Sequence, residues 1–204
     1  MRAILACLAF ALPCAAFAEC PSAKSDLDKG IHLTSDGPQS IRYRRDAQGH
    51  VLVESFPLGD YAFSYLATTM FGLYPLQEGT AYLGETMPDS LASMTYAVPS
   101  GNLPEPSPGL AFHSPVRTGG AEGVEPVMFV TVGPAVTKSY GDCRFETLPV
   151  TARIAGPDDD DLARFDYIPA LGLAVEWLHG SFAAVPEVKT NLRLSLTPPD
   201  GMPP

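Results

Sequence analysis

The chain has 204 residues and a net charge of −10, with 23 acidic against 13 basic residues. An acidic balance of this size argues against binding to nucleic acids and to anionic lipid surfaces, because both attract basic patches. The length is sufficient for one domain with a sizeable hydrophobic core.

The N-terminus has the organisation of a secretory signal peptide. A positive charge at Arg2 precedes a short apolar run, and small residues occupy the −3 and −1 positions of a cleavage site after Ala18. The run is too short for a membrane span. We therefore expect residues 1–18 to be removed and residues 19–204 to form a single β-rich domain, exported to the bacterial periplasm or the medium.

Cys20 and Cys143 are the two cysteines that remain after cleavage. Two cysteines in an oxidising compartment are expected to pair, and this bond would stabilise the fold by about 4–5 kcal/mol in the chain-entropy model. The alternative, a nucleophilic Cys143, is disfavoured because a lone thiol seldom stays unpaired after export. A lipid anchor is not expected, since neither Cys14 nor Cys20 follows a small residue.

Alternating apolar residues predict short strands in the first half of the chain. Residues 41–45 and 51–55 flank a turn-forming Asp-Ala-Gln-Gly segment and predict a β-hairpin. Further strands are predicted around residues 61–66, 80–84 and 92–98. Residues 99–109 contain four prolines, which lack an amide donor, and are expected to form a surface loop.

Aromatic residues of the same parity near position 63 have two interpretations. Such a ladder either packs in the core, which we expect here, or presents a platform to sugars or lipids. If the protein holds an apolar ligand, the candidate surface consists of five aromatic residues: Tyr61, Phe63, Tyr65, Phe71 and Trp177.

Two patterns in the second half bear on how its strands are covered. Residues 127–132 are apolar at both parities, which predicts a strand covered on both faces in the middle of the fold. In the next strand the apolar positions are odd up to Phe145 and even from Leu148 to Ile154. This change of parity predicts a bulge or bend at Pro149.

The longest alternating stretch runs from Phe165 to Trp177, with its large apolar side chains on odd positions except for Ile168. Parity is unbroken across residues 169–172, which favours one strand bent at Pro169 over a hairpin. The chain thus has about ten short strands, almost no amphipathic helix and a loose tail from about residue 197. This pattern is typical of an all-β antiparallel sandwich, barrel or half-barrel.

Residues 167–175 have the pattern Tyr-x-Pro-x-x-Gly-Leu-x-Val. This stretch resembles one in uncharacterised exported β-rich bacterial proteins, some of which are similar to periplasmic half-barrels that cover a hydrophobic cavity. The resemblance implies a β core that encloses or presents an apolar surface, and it implies no catalytic residue.

No recognisable catalytic or metal-binding motif occurs in the sequence. The four histidines are isolated, no zinc spacing is present, and there is no Gly-x-Ser-x-Gly elbow or nucleotide-binding glycine loop. We therefore expect a protein without cofactor or metal that is not an enzyme and binds an envelope component or a partner protein. The alternatives are a periplasmic carrier of an apolar ligand and a hydrolase of envelope polymers with paired carboxylates.

Overall fold

The computed structural model describes residues 19–57, 63–83, 85–119, 125–156, 160–181, 186–199 and 202. The predicted signal peptide therefore lies outside the described residues. Within them the chain forms short 3-10 helices at Lys24–Asp28, Pro88–Ser90 and Ser100–Asn102, and more strands than the ten expected. The strands are β1 (Ile31–Thr34), β2 (Gln39–Arg45), β3 (Val51–Pro57), β4 (Phe63–Met70), β5 (Tyr74–Tyr82), β6 (Glu85–Thr86), β7 (Ala92–Tyr96), β8 (Ala111–Thr118), β9 (Val127–Val132), β10 (Val136–Tyr140), β11 (Cys143–Ala155), β12 (Asp160–Ile168), β13 (Leu173–Ser181), β14 (Glu187–Val188) and β15 (Arg193–Ser195).

The strands form one antiparallel sheet, which confirms the all-β prediction. Its order is β14-β13-β12-β11-β9-β8-β7-β5-β4-β3-β2-β1-β15, with β6 paired to β5 and β10 paired to β11. Most pairs join strands that are neighbours in the chain, as in a meander, and β15 returns to pair with β1. Among the described residues, no helix has the length and apolar character needed to cross a membrane.

Two groups of buried side chains form the interior. The first core gathers residues from β1–β3, β10, β11, the β12–β13 hairpin and β15, among them Ile31, Tyr43, Phe145, Leu173 and Val175. The second core gathers residues from β8, β9, β11, β12 and β13, among them Met128, Val130, Val150, Tyr167 and Ala174. Strands β11, β12 and β13 contribute to both cores.

The stretch from Phe165 to Trp177 is a hairpin, so the expected single bent strand is wrong. β12 ends at Ile168, β13 begins at Leu173, and a four-residue turn joins them. Gly172 adopts φ +63° in this turn and its amide donates to the carbonyl of Ile168. Glycine suits this position because a left-handed backbone is unfavourable for residues with a Cβ atom.

The unbroken parity across the turn arises because the hairpin is buried on both faces. Tyr167 pairs with Ala174 and both belong to the second core, whereas Ile168 pairs with Leu173 and both belong to the first. The odd positions of β12 and β13 therefore lie on opposite faces, as a four-residue loop requires. Since both faces carry large apolar side chains, the sequence alternation hides this change of face.

Trp177 occupies a β-bulge in this hairpin. Phe165 pairs with Glu176 and Arg164 pairs with Leu178, so Trp177 is the extra residue on β13. A bulge of this kind changes which face the following side chains reach. As a result, Glu176 and His179 both face the cavity described below, although they are three residues apart.

Two other predictions for the second half need correction. β9 is buried on one face only, because Met128, Val130 and Val132 are buried whereas Phe129 is 43% exposed. The parity of β11 does change between Phe145 and Leu148. The predicted bulge at Pro149 is absent, because β11 pairs with β12 without a register shift from Leu148 to Ala155. The parity changes because the first residues of β11 belong to the first core and the later ones to the second.

The disulfide between Cys20 and Cys143 is present, with the two Cα atoms 5.6 Å apart. It joins the N-terminal segment to the start of β11 across a sequence separation of 123 residues. The predicted hairpin of β2 and β3 is also confirmed, with Arg45 opposite Val51.

The proline-rich segment 99–109 contains no strand, as expected, but it is anchored to the fold. Leu103 is buried in the second core, and Tyr74 donates a hydrogen bond to the carbonyl of Pro104. Glu105 accepts hydrogen bonds from Lys24 and Tyr167. In the C-terminal segment, the Met202 sulfur lies 3.2 Å from a ring nitrogen of His32.

Candidate functional site

A cavity of about 370 Å³ lies between two walls of the sheet. The first wall is formed by strands β2–β5 and the second by β9 and β11–β14. Alternate residues of β2, β3, β4, β11 and β12 face the cavity, because successive Cβ atoms point to opposite faces. Apolar side chains cover most of both walls, including Ile41, Val53, Ala67, Met128, Ala152, Ile154, Phe165 and Ala174.

The inner end of the cavity is closed by the turn between β4 and β5. The Ala174 amide donates a 2.7 Å hydrogen bond to the carbonyl of Phe71, which ties this turn to the second wall. Gly72 adopts φ +73°, and a Cβ atom there would lie 2.7 Å from the Ala174 carbonyl oxygen. The close approach of turn and wall therefore requires glycine at this position.

The other end of the cavity is open and polar. Along the β12–β13 hairpin, away from its turn, Phe165 pairs with Glu176, Ala163 with His179, and Asp161 with Ser181. The His179 side chain is 54% exposed, so this end reaches solvent. We call this end the mouth; its charged residues are Asp161, Glu176, His179, Glu187 and Lys189.

Glu176 is the centre of the charge network at the mouth. Its carboxylate accepts a 2.6 Å hydrogen bond from Lys189 Nζ and lies 3.4 Å from His179 Nδ1. Burial acts to raise the pKa of Glu176, but the bonds to His179 and Lys189 outweigh it and lower the pKa. The hydrogen bond to Glu176 raises the pKa of His179 above its ordinary value, against the effect of burial.

Two tyrosines of the first wall stay protonated at neutral pH. Burial, reinforced by the charge of Glu176, raises the pKa of Tyr43. Burial, together with the charge and hydrogen bonding of Glu78, raises the pKa of Tyr65. Both phenols are therefore neutral groups of the wall that can donate a hydrogen bond.

The structure separates the five aromatic residues proposed for an apolar-ligand surface. Tyr65 lines the cavity, and Phe63 lies two residues along the same face of β4, 57% exposed and 4.9 Å from the ring of Tyr82. Neither is part of a packed core, contrary to the expectation for this ladder. Phe71 belongs to the turn at the inner end and packs against the second core. Tyr61 lies outside the described residues.

Trp177 lies at a second, polar hollow of about 520 Å³ rather than at the cavity. The ammonium group of Lys138 lies 5.2 Å from the centre of its ring. Beside it, Asp166 is 2% exposed and accepts hydrogen bonds of 2.8 Å from Lys138 Nζ on both oxygens and from the Tyr140 hydroxyl. The Asp166–Lys138 pair therefore places a buried negative charge beside this hollow.

The charged residues of the mouth could not be predicted as a group from the sequence. Glu187 belongs to the two-residue edge strand β14, and Lys189 is the residue after it. This strand is too short to show the alternation that predicts longer strands. The proximity of Glu187 and Lys189 to Glu176 depends on the pairing of β13 with β14. In the described ranges, no three His, Cys, Asp or Glu side chains form a group that could hold a metal ion.

Comparison of the chain with protein-family models, with curated proteins and with solved structures finds no match. The functional conclusion therefore depends on the geometry of the cavity.

Proposed function

We propose that this protein is an exported binding protein that holds a small ligand with an apolar body in the cavity between the two walls. The cavity itself carries the proposal. Its volume of about 370 Å³ is within the range of small-molecule sites, and its mainly apolar lining with a smaller number of polar groups is typical of such sites.

The organisation of the cavity supports a ligand that enters with its apolar end first. The turn at Gly72 closes the inner end, whereas all the charged lining side chains except Glu78 lie at the mouth. The exposed Phe63 and Tyr82 extend the cavity face of β4 and β5 outwards, so that apolar surface continues beyond the mouth. The disulfide supports export, because such bonds persist in oxidising compartments.

The cavity favours the carrier alternative over binding through the outer surface alone, because closely packed walls would leave no such space. It gives less support to a hydrolase. A general acid requires a carboxyl group with a raised pKa, whereas the pKa of Glu176 is lowered and its carboxylate stays ionised at neutral pH.

The proposal is tested with a neutral apolar fluorophore, N-phenyl-1-naphthylamine, and leucine substitutions that fill the cavity. Ala67→Leu adds apolar volume to the first wall, and Ala163→Leu adds it to the second. We expect saturable binding to the wild-type protein and at least tenfold weaker binding to both variants. Ala97→Leu is the matched control, since Ala97 is exposed and does not line the cavity.

Absence of saturable binding, or equal binding to the wild type and to both filled variants, would overturn the proposal. Native mass spectrometry of the protein purified from its own cell envelope provides an independent test. A co-purifying small apolar molecule that is lost in Ala67→Leu supports the proposal. A co-purifying polypeptide that is retained in this variant would support partner binding instead.

A further inference from the structure

We infer that the ligand of the cavity carries a cationic head group, as an alkylammonium amphiphile does, and that the cavity discriminates against fatty acids. The inference rests on the proposed function and adds the charge of the ligand. It comes from the balance of charged groups at the mouth and on the walls.

Carboxylates outnumber cationic groups around the cavity. Asp161, Glu176 and Glu187 lie at the mouth, and Glu78 lies on the first wall. The only lysine or arginine among the described lining residues is Lys189, and its ammonium group is bound to Glu176 at 2.6 Å. The lining remains negative even when His179 is protonated.

The remaining carboxylates form no salt bridge with a described residue, and the charge of Asp161 acts on His179, whose pKa it helps to raise. Among the described residues, Asp161 and Glu187 form no ion pair, and Glu78 interacts with the neutral hydroxyl of Tyr65. An anionic head group at the mouth would be repelled by these carboxylates, whereas an ammonium group would pair with them. The apolar lining weakens the screening of such interactions relative to bulk water.

The geometry favours an organic cation over a metal ion. The described acidic side chains do not converge on a common point that could hold a metal. They are instead spread over β12, β13 and β14 at the mouth and β5 on the first wall, while the apolar walls continue inwards. A single charged head with an apolar tail fits both features, because the tail removes apolar surface from water.

The test compares three amphiphiles that have the same dodecyl chain, each used below its micellar concentration. Dodecylammonium, dodecanol and dodecanoate compete with N-phenyl-1-naphthylamine for the protein at pH 7 and low salt. We expect dodecylammonium to bind at least tenfold more tightly than dodecanoate, with dodecanol between them. The preference is expected to shrink at high salt, because ions screen exposed charges.

Substitutions at the mouth test whether its carboxylates cause the preference for dodecylammonium over dodecanoate. Asp161→Asn and Glu187→Gln are each expected to reduce the ratio of the affinity for dodecylammonium to the affinity for dodecanoate several-fold. Neither substitution is expected to change the binding of dodecanol. The matched control is Glu146→Gln, since Glu146 is exposed on β11 and does not line the cavity. Equal binding of dodecanol shows that the variants are folded.

The outcomes separate this inference from the proposed function. If the fluorophore and all three amphiphiles fail to bind, both are wrong. If dodecanol binds and dodecanoate binds as tightly as dodecylammonium or more tightly, the head-group inference is wrong and the apolar cavity stands. If both mouth variants keep the full preference, these carboxylates are not its source and the inference is overturned.

Discussion

The buried carboxylate of Asp166 gives the sharpest test of how the fold is stabilised. Asp166→Asn removes a charge that is 2% exposed and held by Lys138 and Tyr140. Breaking a buried pair by changing one partner typically costs about 3–5 kcal/mol. Lys138 is 38% exposed, so its ammonium group regains water, whereas the Tyr140 hydroxyl does not. We therefore expect a loss near the lower end, about 3 kcal/mol.

Urea denaturation followed by far-UV circular dichroism measures this loss, with equal m-values required for the comparison. In a double-mutant cycle, Asp166→Asn combined with Lys138→Met should destabilise the protein by less than the sum of the two single changes. Arg117→Gln, which breaks the exposed pair with Glu125, is the control and should leave the midpoint nearly unchanged. A cost below about 1 kcal/mol for Asp166→Asn would refute the reasoning, since it would mean that the carboxylate is effectively solvated.

Three further predictions concern the disulfide, one glycine and one histidine. Reduction of the disulfide should lower the free energy of unfolding by about 4–5 kcal/mol, and an unchanged urea midpoint with both thiols alkylated would contradict this. Gly72→Ala should destabilise the protein by at least about 1–2 kcal/mol, because its φ is positive and its Cβ would meet a backbone oxygen. Gly101→Ala, where a Cβ meets nothing within 4 Å, should stay within about 0.5 kcal/mol of the wild type, and equal effects would count against the steric argument. The raised pKa of His179 means that its stabilising bond to Glu176 is complete below pH 6.5 and is lost as pH rises through the folded pKa. The decline of thermal midpoint with rising pH in this window should therefore be smaller in His179→Gln, and an unaltered profile would contradict the assignment.

Strand prediction succeeded where clear alternation coincides with recognisable turn residues. In β2 and β3 the alternation and the turn residues specify the hairpin. Prediction failed in the stretch from Phe165 to Trp177, where burial is two-sided. Ile168 and Leu173 belong to the first core, whereas Tyr167 and Ala174 belong to the second. Because large apolar side chains lie on both faces, parity could not show that the chain reverses between Ile168 and Leu173.

The candidate site was predictable only in part. Tyr65 was recognised as a residue that could contact an apolar ligand, and the structure places it on the cavity. Trp177 was grouped with it, but Trp177 follows the cavity-lining Glu176, faces the opposite side of β13 and lies at the other hollow. Which face of a strand meets the cavity is set by packing between strands, and local alternation does not show it.

The sequence by itself determined the all-β class, the β2–β3 hairpin and the pairing of Cys20 with Cys143. Each depends on local alternation, on turn chemistry or on a choice between very few partners. Only the tertiary structure decided the Phe165–Trp177 hairpin, the cavity and its acidic mouth. These features arise from side chains far apart in the chain, and their contacts depend on strand order and register, which a one-dimensional pattern does not contain.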